Sequence, residues 1–241
     1  MSVFSISDLH LSLATPKPMD IFGSRWQGYT EKLEKNWRAV VTEDDTVVIP
    51  GDISWAMSLE EAEADLRFIS SLPGKKLLGK GNHDFWWETL TKMRRYLADK
   101  NITGIDFLYN NAYLAEDLII CGTRGWFTEE RLQNTVSRTE YTKVSARELS
   151  RLKLSLDEAV KIQKNSENAD IIVYLHFPPA FGDFVCGEYI SLMKDYGVRH
   201  CYFGHIHGVY SIPRTTVTDR LPISIISADY LNFTPMLTKL R

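Results

Sequence analysis

The chain has 241 residues, 44% hydrophobic and 24% charged, proportions that supply a sizeable core and argue against disorder. Its 28 basic and 31 acidic side chains leave a formal charge of −3, so no cationic surplus announces nucleic acid or an anionic membrane as partner. Three widely spaced cysteines (Cys121, Cys186, Cys201) form no CxxC pair, and no run approaches the ~18 apolar residues of a membrane span; a cytoplasmic chain with reduced thiols and no removable leader is expected.

Val3, Phe4 and Ile6 begin a β-prone run that ends at Ser7-Asp8, and a strand tip there presents Asp8 and His10, two apart, on one side. After an irregular stretch at 15–28, Leu33, Trp37, Val40 and Val41 repeat at helical intervals, and residues 46–49 read as a buried strand delivering Gly51-Asp52. Ser58 with Glu61 forms a capping box ahead of an apolar stripe of Leu59, Ala62, Leu66 and Ile69, which Pro73-Gly74 stops. A strand near 76–79 leads into Gly81-Asn82-His83-Asp84, and Trp86, Leu90, Met93 and Leu97 predict a third amphipathic helix. Strand and helix therefore alternate through the first hundred residues, with each polar motif directly after a strand, where ligands of such sheets gather.

From 105 to 122 the pattern changes to short β-prone runs with Asn110-Asn111 as a turn candidate, which predicts antiparallel hairpins and a second sheet. Residues 123–143 are polar and irregular, a lid candidate and equally an ordinary surface excursion. A capped helix beginning at Ser145 with Glu148 carries Leu149, Leu152, Leu156 and Val160 on one face. A strand at 171–175 feeds His176, a helix near 188–196 stops at Gly197, and a strand at 200–203 ends in Gly204-His205-Ile206-His207. Ile223, Ile225 and Ile226, with Pro235 beyond, read as strands closing a sheet. No linker divides the chain, so one domain over 1–241 is expected.

Five of the six histidines thus stand in four clusters: Asp8-Leu9-His10, Gly81-Asn82-His83-Asp84, His176-Phe177-Pro178-Pro179 and Gly204-His205-Ile206-His207, with Gly51-Asp52 between the first two. Imidazole nitrogen with carboxylate and amide oxygen is a borderline donor set suited to Zn²⁺, Mn²⁺ or iron, and no cluster contains a thiolate. Taken singly, Asp8 and Asp52 could be turn or capping residues and Asn82 a turn residue; their coincidence favours ligation. His200 lies outside every motif and reads as structural.

The ordered series D-x-H, G-D, G-N-H-D, H and G-H-x-H, from residue 8 to residue 207, resembles the signature of the calcineurin-like metallophosphoesterase superfamily. The resemblance implies an α/β fold of four α/β/β/α layers: a central β-sandwich of two mixed sheets flanked by helices. It also implies two divalent or trivalent transition-metal ions (Mn, Fe or Zn), one held by Asp8, His10 and His207 and the other by Asn82, His176 and His205, with Asp52 bridging both. A shared carboxylate offsets the repulsion of two dications ~3.5 to 4 Å apart, and water held between them yields a hydroxide that attacks a phosphate ester directly. His83 has a counterpart assigned to leaving-group protonation or transition-state stabilisation, and Asp84 is expected to hydrogen-bond His83 and raise its pKa.

Protein serine/threonine phosphatases of this superfamily carry Asp-Arg-Gly after the second block and end the third with Glu, whereas this chain reads Gly51-Asp52-Ile53-Ser54-Trp55 and ends the third with Asp84. It is more similar to bacterial phosphodiesterases and small-molecule phosphohydrolases, so a phosphorylated small molecule is the expected substrate. The alternatives are a nuclease with the same centre, which the near-neutral charge disfavours, and a noncatalytic metal-binding scaffold. Arg124 is a candidate phosphate contact, although a solvated loop arginine is the commoner outcome and it stays outside the catalytic set. Trp55, Phe85, Trp126 and Phe181 are candidates for the wall of a substrate pocket.

Overall fold

The computed structural model describes residues 1–14, 17–126, 138–166 and 168–238. In chain order the strands and helices are β1 (Val3–Ser5), α1 (Tyr29–Val40), β2 (Thr46–Ile49), α2 (Leu59–Ser71), β3 (Lys75–Leu78), α3 (Leu90–Asp99), β4 (Ile105–Phe107), β5 (Ala112–Ala115), β6 (Leu118–Thr123) and α4 (Arg138–Gln163). They continue with β7 (Asp170–Leu175), β8 (Ala180–Phe181), β9 (Phe184–Val185), α5 (Gly187–Asp195), β10 (His200–Phe203), β11 (Thr215–Thr218), β12 (Leu221–Ile225) and β13 (Met236–Leu237). One sheet has the order β13-β1-β2-β3-β4 and the other β11-β12-β10-β7-β6-β5, while β8 and β9 form a small hairpin. Both sheets are mixed: β1 to β4 run parallel with β13 antiparallel at one edge, and β12, β10, β7 and β6 run parallel between antiparallel β11 and β5.

The period-2 alternation of the strands sorts their side chains into three apolar layers. Phe4, Val47 and Ile49 pack with Leu33, Trp37, Leu66 and Met93 of α1, α2 and α3 on the outside of the first sheet. Ile119, Cys121, Ile171 and Val173 pack with Leu152 and Leu156 of α4 and with Tyr189 and Met193 of α5 on the outside of the second. The alternate residues Val3, Val48, Leu77, Ile120, Ile172, Tyr174 and Tyr202 fill the space between the sheets. Strands apolar on both faces are what a sheet buried on both sides requires, and the result is the expected α/β/β/α sandwich of two mixed sheets. Among the described residues no helix is long and apolar enough to cross a membrane.

Several local expectations need correction. Asn110-Asn111 does not turn a hairpin: β4 is parallel to β3, and Asn111 bends the chain toward the other sheet by donating to Phe107 O and accepting from Tyr109 N. The hairpin is β5–β6, turning at Glu116-Asp117 with Glu116 in the left-handed region at φ 58°. Trp86 precedes α3, whose N-cap is Thr89, because Thr89 Oγ1 accepts from Lys92 N and opens the helix there. Helix α4 begins at Arg138, so Ser145 lies inside it, and Glu148 is buried in ion pairs with Arg124 and Arg151 instead of closing a cap. Ser58 does cap α2, but the Glu61 carboxylate returns to Met57 N, one residue before the cap. Most of the segment 123–143 proposed as a lid lies outside the described residues.

Lys76 on β3 is buried, and its Nζ donates to the carbonyl oxygens of Leu72 and Gly74 just beyond the end of α2. The ammonium satisfies carbonyls of the turn that follows the helix and, at 3.4 Å, Ser70 O of its last turn. Lys76→Met keeps the bulk and removes the donors; it is expected to lower the unfolding free energy by about 1–3 kcal/mol in urea titrations without changing the slope.

Candidate metal centre

Every expected site residue sits in a loop that leaves the carboxyl end of a parallel strand: β1, β2 and β3 of one sheet, β7 and β10 of the other. The β1 loop stitches these groups together. Ser7 N donates to Ile226 O and Ser7 O accepts from Ala228 N, while Asp8 N and His10 N donate to Gly51 O and Asp52 O. The same few residues are thus hydrogen-bonded to the segment after β12 and to the loop after β2.

Asp8 (φ 61°), His10 (47°), Asp52 (50°) and His205 (69°) all adopt the left-handed backbone that non-glycine residues avoid. Each costs on the order of 1–2 kcal/mol and persists only because surrounding bonds over-determine it. Tyr29 OH, for example, donates to His10 O at 2.6 Å, and His205 N donates to both Asp8 carboxylate oxygens at 2.8 and 3.0 Å. The motif glycines have a steric reason. A Cβ on Gly204 would stand 2.2 Å from Asp8 Oδ2, and one on Gly81 would stand 2.1 Å from Asp52 Oδ1.

Two groups of donors result. Asp8, His10 and His207 form one triad and Asp52, His176 and His205 a second, the ligand atoms within each lying no more than 4.8 Å apart. His10 Nε2 is 3.2 Å from His207 Nε2, and His176 Nε2 is 3.3 Å from His205 Nδ1. Asn82 Oδ1 joins the second group, 2.7 Å from His176 Nε2 and 2.9 Å from His205 Nδ1. Asp52 Oδ2 stands between the groups, 3.4 Å from His176 Nε2 and 3.7 Å from His10 Nε2.

The electrostatics are those of a cluster built around positive charge. Burial holds His10 and His176 well below the ordinary imidazole range and His205 at about 4, so these rings present lone pairs. Burial and the neighbouring charges of Asp8 and Asp84 push Asp52 well up. Burial acts upward on Asp8 too, yet His207, His176 and His10 outweigh it and hold that carboxyl far below its usual range. His207 is raised to about 10: burial opposes its charge, but Asp229 and Asp8 both stabilise the imidazolium. Neutral imidazoles and crowded carboxylates fit a borderline cation, which would displace the His207 proton on binding.

Asp84 has a different place from the one expected. Its Oδ2 accepts from Asp52 N and Gly81 N, and its Oδ1 from Ile53 N, Ser54 N and Trp86 Nε1. Five donors saturate its two oxygens, so Asp84 is a positioning residue that ties the β2 loop to the β3 loop and does not hydrogen-bond the His83 ring. Accordingly His83 is lowered, first by burial and then by the charge of Lys17, where a rise was expected.

Asp229 is a residue the motif reading missed. It is fully buried; its Oδ1 accepts from His207 Nδ1 at 2.9 Å, and its Oδ2 accepts from Gly208 N and Tyr210 OH. This bond fixes the His207 tautomer so that Nε2 faces the triad.

A cavity of about 410 Å³ opens beside the first triad, lined by His10, His83, His207, Gly208, Met19, Phe22, Trp26 and Trp55. Trp55 stacks on His10 at 4.8 Å and lies 4.4 Å from His83. The other pocket candidates lie elsewhere. Phe85 is exposed with its ring 6.4 Å from His83, Trp126 packs on Phe177, and Phe181 packs against Phe203. Arg124 directs its guanidinium to Glu148, while its carbonyl accepts from His176 N and Phe177 N. His200 takes the structural role expected of it, stacked on Tyr202 and within hydrogen-bond reach of Ser224 Oγ.

A family model described as calcineurin-like phosphoesterase matches residues 1–209. Gene 66 protein of Mycobacterium phage L5 is 38% identical over 78 residues, which cover 32% of this chain and 37% of the phage protein, so the match spans little more than a third of that relative. Phosphopantetheinyl hydrolase from Mycobacterium tuberculosis superposes with a TM-score of 0.54 at 13% identity, over 98% of this chain and 95% of that one. The protein TT1561 of Thermus thermophilus does so with a TM-score of 0.56 at 11% identity, over 99% and 98%. At these identities the structural likeness is one of fold.

Two outcomes follow from the packing around the triads. Gly204→Ala is expected to destabilise the fold by about 1–3 kcal/mol and to lower metal content, since the added methyl displaces Asp8; urea unfolding and elemental analysis read the two effects. Asp229→Asn is expected to leave the fold intact while weakening Mn²⁺ binding roughly 10- to 100-fold by calorimetry, because the carboxylate that orients His207 is gone.

Proposed function

The chain belongs to the calcineurin-like phosphoesterase family, and on that premise we propose that it is a dinuclear metal-dependent phosphoesterase acting on a phosphorylated small molecule. The observation that carries this reading is the position of Asp52 Oδ2, a single carboxylate oxygen within 3.7 Å of imidazole nitrogens from both triads. Asp8, His10 and His207 would hold one ion; Asn82, His176 and His205 would hold the other; Asp52 would serve both. Two such ions would supply Lewis acidity to phosphoryl oxygens and would lower the pKa of a bound water.

The chain's own groups do the remaining work. His83 lines the cavity between Trp55 and the first triad, which supports a role for its ring in hydrogen-bonding the charge developing on the leaving oxygen or protonating it, the former favoured by its lowered pKa. Its backbone N–H donates to Asp52 Oδ1 at 2.8 Å, which fixes the imidazole relative to the shared carboxylate. Asp84 sets the spacing of the two loops. Since loops of both sheets contribute to one centre, the whole of 1–241 acts as a single domain in this reading.

The cavity falls within the ~300–1,000 Å³ of small-molecule sites, and together with the net charge of −3 it supports a small substrate over nucleic acid. The buried thiols of Cys121, Cys186 and Cys201 accord with a reducing cytoplasm.

The test combines elemental analysis with hydrolysis of p-nitrophenyl phosphate and bis(p-nitrophenyl) phosphate in the presence of Mn²⁺. Two ions per chain and turnover of at least one ester are expected. His83→Asn should keep both ions and slow hydrolysis by about 10²–10⁴-fold, whereas Asp52→Asn should lower the metal content itself. Equal, small effects of the two substitutions would contradict the assigned roles. Full metal occupancy without turnover on a broad ester panel would favour a noncatalytic scaffold.

A further inference from the structure

The cavity beside the first triad also carries information about the substrate. Its floor is made of imidazoles that belong to the proposed centre, but its walls are Met19, Phe22, Trp26 and Trp55. Among the described residues no carboxylate, amide or hydroxyl side chain lines it. Beyond those imidazoles the walls offer a polyol little to replace the water it would lose, whereas an apolar ring gains from the same desolvation. The cavity is lined by His83, the group that the proposed function assigns to the leaving oxygen.

The aromatic walls are present in a form that an occupant would complete. Phe22, on the short 3-10 turn Asp20–Phe22, is 56% exposed although its ring borders the cavity. Trp55 is partly buried, and the exposed Lys17 ammonium rests 3.2 Å from its ring centroid, a contact that is weak at an accessible site and easily exchanged. Trp26 is buried behind them, braced edge-on by Phe233 at 5.1 Å, so the rear wall is rigid.

We infer that the leaving group of the substrate carries a planar aryl or heteroaryl ring, seated between Phe22, Trp26 and Trp55 while the phosphate faces the two triads. This rests on the phosphoesterase reading and adds to it the class of ester. The bond that breaks is the phosphorus–oxygen bond to the leaving group; water supplies the new oxygen, and the released hydroxyl keeps its ring in the aromatic slot until it departs.

Calorimetry on the Mn²⁺-loaded protein with non-hydrolysable phosphonates tests it. Phenylphosphonate is expected to bind at least tenfold more tightly than methylphosphonate, and more tightly than cyclohexylphosphonate. Phe22→Ala should shrink the phenyl-over-methyl preference to under threefold while the Kd for methylphosphonate stays within twofold of wild type; Trp55→Ala should shrink the same ratio, and since Trp55 also stacks on His10 only the ratio is read for it. Phe22 is not a proposed metal ligand, so that variant serves even if Trp55→Ala disturbs His10. The KM for hydrolysis of adenosine 5′-phosphate compared with that of ribose 5-phosphate separates the two members of the class: a preference in this pair assigns a nucleobase, and a preference confined to the phosphonates assigns a simple aryl ring. Equal affinity for the phenyl and methyl ligands, or for the phenyl and cyclohexyl ligands, overturns the planar ring and leaves the phosphoesterase reading standing. A protein that takes up no metal and binds no phosphonate overturns both.

Discussion

The molecule turns on the placement of Asp8, a fully buried carboxylate in a left-handed backbone at the seam between two sheets. Neither sheet alone could hold it there. The β1 loop satisfies its backbone groups on one side with residues that follow β12 and on the other with Gly51 and Asp52. Its side chain accepts from His205 N, so the loop after β10 is positioned by the very carboxylate it helps to enclose. Glycine at 204 is the steric condition for that closure. The sandwich therefore brings two sets of strand ends to one point, and the left-handed residues there are strain that the rest of the fold absorbs.

The charge pattern follows from this geometry. Packing Asp8, Asp52 and Asp84 into one buried region would be prohibitive if each stood as an isolated anion. Five N–H donors offset part of the burial of Asp84, whose carboxyl is still raised, and imidazole neighbours outweigh the burial of Asp8; Asp52 has one backbone donor from His83 and two carboxylates close enough to help push it well up. The least satisfied carboxylate of the three is thus the one that faces both triads. A group that packing alone leaves poorly compensated, aimed where two histidine clusters meet, is what a site looks like when its counter-charge comes from a ligand.

Much of this was legible in the sequence because motif and strand end coincide: short apolar runs ending in Asp-x-His, Gly-Asp, Gly-Asn-His-Asp, His and Gly-His-x-His place their polar residues by strand geometry. The apolar run at 46–49 likewise read as a buried strand. Side-chain direction was not legible. Asp84 beside His83 suggests a pair, yet its carboxylate turns back to the Gly51–Ser54 loop, because a tight turn leaves several N–H groups pointing at one place. Asp229 was missed for a related reason: it follows His207 by 22 residues, a separation no local rule interprets, and becomes a partner only when the segment after β12 folds back across the seam. The upstream start of α4 was hidden because a Ser-x-x-Glu pattern reads as a cap wherever it falls, including inside a helix.

That returning segment joins two properties that would otherwise be independent. Asp229 orients His207 with its carboxylate and accepts from Arg25 Nη1 with its carbonyl, and the Arg25 guanidinium lies over the Tyr210 ring at 3.6 Å. Four residues further on, Phe233 packs against both Trp26 and Tyr29, bracing the rear wall of the aromatic cavity and the tyrosine whose hydroxyl donates to His10 O. The stretch from Asp229 to Phe233 therefore supports a histidine of the first triad, the carbonyl of another, and the wall against which a leaving group would rest. Substitutions in it act on the centre and the cavity together, because one piece of backbone sets the distance between them.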